Sequence, residues 1–136
     1  MGRILAIDYG QKRTGLAVTD MLRITANPLL TIDTSALREW LVTELAKGEI
    51  DTVVIGHPTQ LNGEESDSMR FIRPFTGWFR KQFPTMPLVE YDERFTSTLA
   101  HQAMIAGGMK KKDRRDKAVV DKIAACIILE DYLSTL

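Results

Sequence analysis

Ile4-Leu5-Ala6-Ile7-Asp8-Tyr9-Gly10-Gln11-Lys12-Arg13-Thr14-Gly15-Leu16-Ala17-Val18 is the stretch on which the reading of this chain turns. Four apolar residues run into one carboxylate, a turn containing Gly10 follows, and an alternating Thr-Gly-Leu-Ala-Val segment leads back. The pattern predicts two strands of a hairpin, with Gly10 supplying a positive φ in the turn. Asp8 then sits where a buried strand opens into the turn, and an acid there is poorly solvated unless something pairs with it. Three roles suit it: a turn cap that accepts backbone N–H bonds, a metal ligand, or part of a phosphate-binding turn.

Working outward, the segment Arg23–Ile32 carries Ile24, Leu29, Leu30 and Ile32 around Asn27-Pro28, which suits an irregular edge strand that ends the meander. Thr34 or Ser35 is a plausible N-cap for a helix through Lys47, with Leu37, Leu41 and Leu45 on one face and Gly48 as its stop. Thr52-Val53-Val54-Ile55 reads as a short apolar strand and Gly56 to Gly63 as a loop. Met69, Ile72, Phe75, Phe79 and Phe83 then fall along one helical face. Pro74 interrupts that face, so a kink or a later helix start is expected. Pro87 to Tyr91 is the fifth strand, Thr96 or Ser97 caps a helix closed by Gly107-Gly108, and a last helix occupies roughly Asp116 to Leu133. Short turns between the early strands imply antiparallel pairing, and helices between the later ones imply parallel crossovers. The expected architecture is α/β: a mixed five-stranded sheet, antiparallel meander then parallel strands, flanked by helices.

The 136 residues suit a single domain, 1–136, at about 100 to 200 residues per domain. Eighteen Lys and Arg balance eighteen Asp and Glu, so no overall basic field draws the protein onto nucleic acid or anionic lipid, and such binding must come from a local patch. The single cysteine, Cys126, cannot form an intramolecular disulfide, and no stretch reads as a signal peptide or membrane span. A cytoplasmic protein with no membrane partner is expected; oligomeric state is not encoded.

Two further acids join Asp8. Glu93 directly follows the fifth strand, where ligands gather outside the carboxyl ends of strands in open α/β sheets. Asp121 shares its helix face with Ala124, Ala125, Ile128 and Tyr132, a face turned toward the sheet. For Asp121 alone, a salt bridge to Lys117 or Arg94 is the ordinary alternative. Three converging carboxylates repel one another unless a cation lies between them, and an all-oxygen set suits Mg²⁺ or Mn²⁺. Paired ions in such sites lie about 3.5 to 4 Å apart and act on phosphodiesters. His57 and His101 have only Cys126 to partner, which leaves too few ligands for zinc; His57 reads as an ordinary polar loop residue.

Lys110-Lys111-Lys112-Asp113-Arg114-Arg115-Asp116-Lys117 reads as the only strongly basic segment. Such a run is commonly a solvated loop. Just ahead of the helix with Asp121, it is placed to supply phosphate contacts, with Lys12 and Arg13 adding to the same patch.

With these motifs in hand, the chain resembles the YqgF/RuvX family of RNase H-like proteins, described as Holliday junction resolvases and as nucleases that mature the end of pre-16S ribosomal RNA. The likeness spans nearly the whole chain. It rests on Asp8-x-Gly10-x-Lys12-Arg13-x-Gly15-x-Ala17 with Asp20 beyond, Gly56-x-Pro58 with Asn62-Gly63, Asp92-Glu93-Arg94-x-Thr96-Ser97, and Lys117-x-x-x-Asp121-x-x-Ala124-Ala125-x-x-Ile128-Leu129. The resemblance implies an RNase H-like fold and an acidic triad, Asp8, Glu93 and Asp121, that binds one or two Mg²⁺ or Mn²⁺ ions. It implies phosphodiester hydrolysis on nucleic acid, RNA favoured and structured DNA as the alternative, with ribosomal precursor particles as partners. Lys117 and Arg94 are candidates for orienting the acids or the scissile phosphate. His57 departs from the apolar residue expected between Gly56 and Pro58.

Two rivals belong to other classes. Asp-x-Gly-x-x-x-x-Gly also resembles the phosphate hairpin of the actin and sugar-kinase fold, but those proteins pair two such domains and this chain shows one. A non-catalytic nucleic-acid-binding or ribosome-assembly module on the same fold would not need all three acids.

Overall fold

The computed structural model describes residues 2–57, 69–92 and 117–136. The elements are β1 (Arg3–Asp8), β2 (Arg13–Thr19), β3 (Ala26–Asp33), α1 (Thr34–Leu45), β4 (Ile50–His57), α2 (Met69–Gln82), β5 (Leu88–Asp92) and α3 (Lys117–Leu133). The five strands form one sheet in the order β3-β2-β1-β4-β5. β1 pairs antiparallel with β2 and β2 with β3, whereas β1–β4 and β4–β5 are parallel, as the connection lengths require.

Alternation along each strand sorts the side chains into two layers. Leu5, Ile7, Leu16, Val53 and Ile55 face α1 and α2, where Leu37, Leu41, Ile72, Phe75 and Phe79 complete a layer of large side chains. Ile4, Ala6, Ala17 and Val54 face α3, meeting Ala125, Cys126, Ile128 and Leu129. The second layer is thinner because three of its members are alanines.

Several local expectations are corrected. Gly10 does not take a positive φ; among the described residues Gly48, at 77°, is the glycine that does. A Cβ on Gly10 would stand 2.1 Å from the Arg13 carbonyl oxygen, so the turn needs glycine for room rather than for φ. The residue capping α1 is Asp33, not Thr34 or Ser35, and its side chain makes no cap bond. Thr34 spends its hydroxyl elsewhere, as described below. Gly56 and His57 belong to β4, which runs longer than expected; the remainder of the expected loop, and the helix after Thr96, lie outside the described residues. α2 runs through Pro74 instead of beginning after it. β3 begins at Ala26, since Asp20–Thr25 close the turn before it. It is the edge strand expected, and its pairing slips where Ala17 faces Pro28 but Leu16 faces Leu30, leaving Leu29 as the extra residue.

Candidate active site at the carboxyl end of the central strand

Asp8 ends β1 opposite Gly15 of β2. Counting by twos from Ile4 and Ala6 puts its side chain on the α3 face of the sheet, and the residue is half-buried. The turn beyond it is tied to the start of α1. The Thr34 hydroxyl donates to the Gly10 carbonyl at 2.6 Å and accepts from the fully buried Thr14 hydroxyl at 2.8 Å. The Thr34 amide donates to the Lys12 carbonyl at 3.0 Å. The reason Thr34 does not cap its own helix is that it clamps the Asp8 turn. Sequence reading misses this because a threonine at a helix start has the same composition signal in either role.

Tyr9 turns to the opposite face and stacks on Phe75 with ring centroids 4.8 Å apart. Burial pushes its phenol pKa up, partly offset by the Arg38 guanidinium. Asp8 and Tyr9 thus divide between the two layers, one held toward α3 and the other anchored in the aromatic core.

β5 runs parallel to β4 and ends with Asp92 in register with His57, one residue before Glu93. Glu93, Arg94, Lys110, Lys111, Lys112, Arg114 and Arg115 lie outside the described residues. Lys117 and Asp121 lie in α3, with their side chains not among those described. Among the described residues no group of three metal-ligating side chains comes together. One turn after Asp121, Ala125 is fully buried against the sheet, as are Ile128 and Leu129 on the same face. The last turn of α3 shares an open cleft of about 670 Å³ with the β2–β3 turn, at the end of the sheet away from Asp8.

Asp20, part of the same opening motif, is a structural acid. Its Oδ1 accepts from the Ile24 amide at 2.7 Å and the Thr25 amide at 3.1 Å. The Thr25 amide chiefly holds its carboxyl below the usual range. In the same turn Arg23 adopts φ 59°, uncommon for a residue with a Cβ. Its guanidinium donates to the Gly2 carbonyl at 2.9 Å and pairs with Asp51. Burial pushes Asp51 up, but the Gly2 amide and Arg23 outweigh it and lower its pKa.

The basic run is not the chain's only strongly basic segment. α2 carries Arg70, Arg73, Arg80 and Lys81 and no acid. Spaced along a helix, these charges form no contiguous run and give no such signal in the sequence. Lys12 is exposed and Arg13 half-buried at the start of β2, beside the Asp8 turn.

A sheet of this order, with helices on both faces and a carboxylate ending its central strand, defines an RNase H-like α/β domain. The chain belongs to the RuvX family, described as Holliday junction resolvase, which it matches over residues 2–135. A relative from Phocaeicola vulgatus is 53% identical over 135 residues, covering 99% of this chain and 97% of that one. One from Bacteroides fragilis is 48% identical over 135 residues, covering 99% and 98%. Both are named "Putative pre-16S rRNA nuclease". Among solved structures, T. thermophilus RuvC in complex with a Holliday junction substrate aligns with a TM-score of 0.59 over 99% of this chain and 98% of that one. At 14% identity that likeness speaks to the fold alone. Among the described residues no helix is long and apolar enough to cross a membrane.

Proposed function

We propose that this chain is a metal-dependent nuclease that hydrolyses phosphodiester bonds in nucleic acid, with the end of pre-16S rRNA as its substrate and the cytoplasm as its place of work. The observation that carries this reading is Asp8 itself: a carboxylate at the carboxyl end of the central strand, turned toward α3, in a RuvX-family chain. The names of the 53% and 48% identical relatives support the RNA end.

In this reading Asp8, Glu93 and Asp121 hold one or two Mg²⁺ or Mn²⁺ ions. The donor chemistry fits, since three carboxylates are hard oxygen ligands. The layer beside Asp8 fits as well, because Ala6, Ala17 and Ala125 allow α3 to approach the sheet closely. Bound there, the ion supplies a water of lowered pKa and offsets charge developing on the phosphate. The chain's own part is to hold the acids. Thr34 and Thr14 fix the Asp8 turn, and packing of α3 fixes the helix that carries Asp121. Lys12, Arg13, Arg94, Lys110, Lys111, Lys112, Arg114, Arg115 and Lys117 contact phosphates, within ribosomal precursor particles or on free RNA.

The family description favours one second reading, cleavage of a DNA junction. Purified protein incubated with precursor-end RNA, DNA of the same sequence and a four-way junction, with Mg²⁺, Mn²⁺ or EDTA, separates them. Metal-dependent cleavage of RNA is expected. Cleavage of the junction alone selects the second reading, and binding without cleavage under every metal condition leaves a non-catalytic module.

A further inference from the structure

α2 buries Met69, Ile72, Phe75, Thr76 and Phe79. Its opposite side exposes Arg70, Arg73, Gly77, Arg80 and Lys81, spaced three, four, three and one residues apart and therefore aligned on one face. We infer that this face is a docking surface for the phosphate backbone of a nucleic acid. That the polyanion is a nucleic acid rests on the nuclease reading above; the surface is defined independently of it.

The helix dipole favours cations only toward the carboxyl end, and the described part of α2, Met69–Gln82, carries no acid of its own. Only Arg80 and Lys81, in the last turn, complement the dipole. Gly77 is among the poorest helix formers, and a Cβ there meets nothing within 4 Å, so packing does not demand glycine. Its effect is to leave a saddle without a side chain between two pairs of cations, where a phosphate can approach the helix backbone.

The flank is built to the same end. The Arg70 guanidinium lies 4.9 Å from the Phe71 ring centroid, and Arg38 reaches from α1 to 5.1 Å from Trp78. Such contacts restrict a guanidinium before any ligand arrives and reduce the ordering cost of binding. Arg80 meets Glu90 only at 3.8 Å, with the two side chains 52% and 38% exposed, a weak pairing that a phosphate can displace.

From Arg70 to Lys81 the stripe extends roughly 16 Å at 1.5 Å per residue. It is narrow, and its aromatic neighbours Phe71 and Trp78 are half-buried. A linear polyanion matches that shape. A lipid surface would call for exposed apolar side chains to insert. The Tyr9–Phe75 stack sets the buried face of α2 against the sheet face opposite the one that carries Asp8, so the stripe, on the outer side of α2, is a surface separate from the candidate active site. The sequence ahead of α2 holds Glu64, Glu65 and Asp67, outside the described residues, and the two halves of the stripe are therefore tested separately.

The experiment uses the full chain carrying Asp8→Asn, in EDTA, with fluorescein-labelled single-stranded RNA and an RNA hairpin, binding being followed by anisotropy across a salt series. Arg70→Gln with Arg73→Gln, Arg80→Gln with Lys81→Gln, and all four together are compared with the parent, each first shown by circular dichroism to melt as it does. The four changes should weaken binding at least tenfold and flatten the log–log salt slope by about 0.7 to 0.9 for each phosphate no longer neutralised. Each pair should account for about half. Gly77→Glu should weaken binding while the four cations remain, and arginine-to-lysine changes should restore the slope.

An unchanged slope in the fourfold variant overturns the inference. Loss confined to one pair overturns the continuous stripe. Equally tight, stripe-dependent binding of poly-glutamate or phosphatidylserine vesicles overturns the nucleic-acid assignment. Stripe-dependent RNA binding, with no cleavage by the wild-type chain under any metal, sinks the nuclease reading and leaves this surface standing. Metal-dependent cleavage with stripe-independent binding does the reverse.

Discussion

Asp8 and Asp20 stand at opposite ends of the β1–β2–β3 meander, each at or just past the end of a strand and each beside a short turn. At the Asp20 end the carboxylate makes the turn, accepting the Ile24 and Thr25 amides. At the Asp8 end the turn is held from outside, by Thr34 bonding to the Gly10 and Lys12 carbonyls. On the proposed function, the same residue type in the same local setting serves two ends. What separates them is whether another group already ties the turn, and that information lies twenty or more residues away.

The largest effect expected on this contrast is catalytic. Asp8→Asn should lower metal-dependent cleavage by at least about 10²- to 10³-fold, the scale for removing one preorganised electrostatic interaction. The metal-free melting temperature should hold or rise, because the proposed triad loses one of its mutually repelling charges. Asp20→Asn should do the opposite, lowering the melting temperature while folded molecules cleave at the parental rate. Cleavage rates and thermal melts of the two variants decide it, and a destabilised but fully active Asp8→Asn would break the contrast.

Gly10→Ala probes the outside tie. The added methyl meets the Arg13 carbonyl oxygen, so the turn must open, at a cost of about 1–3 kcal/mol typical of overpacking. Urea titration should register that loss, and cleavage should fall further than stability alone explains. An unperturbed Gly10→Ala would mean the turn is slack.

A smaller effect should appear in acid. The Asp20 pKa is depressed in the folded state, so its contribution is complete above the unfolded value and fades as pH falls through the folded one. Between pH 6 and pH 2.5 the wild type should lose urea resistance more steeply than Asp20→Asn. Parallel curves would show that the two amide bonds add nothing.

The smallest expected effect asks what the α3 face does to an acid without a catalytic task. Burial, with Glu130 adding, pushes the Cys126 thiol up to about 11, and its Sγ lies 3.4 Å from the Ala26 carbonyl oxygen. Folding thus favours the neutral thiol below its unfolded pKa, an advantage lost as pH rises through about 11. At pH 8 a thiol reagent should label the native protein far more slowly than the urea-unfolded chain. Equal rates would mean that α3 leaves the sheet readily.

Much of the fold can be read from residue order because its determinants are local. Alternation in Ile4–Val18, the leucine spacing of α1 and the lengths of the connections lead to the observed mixed sheet. The departures share a physical cause, which is competition from elsewhere in the chain. Thr34 has the sequence signature of a cap, but the Gly10 and Lys12 carbonyls claim it. Pro74 has that of a boundary, but the buried face of Ile72, Phe75 and Phe79 carries the helix through it. Of the proposed triad, the strand end bearing Asp8 is legible outright, as is the apolar face of α3. The cationic face of α2 is not, because charges three and four residues apart are neighbours only once the helix exists.

The slip in β3 bears on how this molecule meets its own kind at high concentration. A sheet's outermost strand is a template that a second chain can extend, and flat, regular edges seed aggregates. Pro28 contributes no N–H, and Leu29 throws the repeat out of step by one residue. An incoming strand therefore finds no long uninterrupted stretch to copy, and Leu29, exposed as it is, sits where such copying fails.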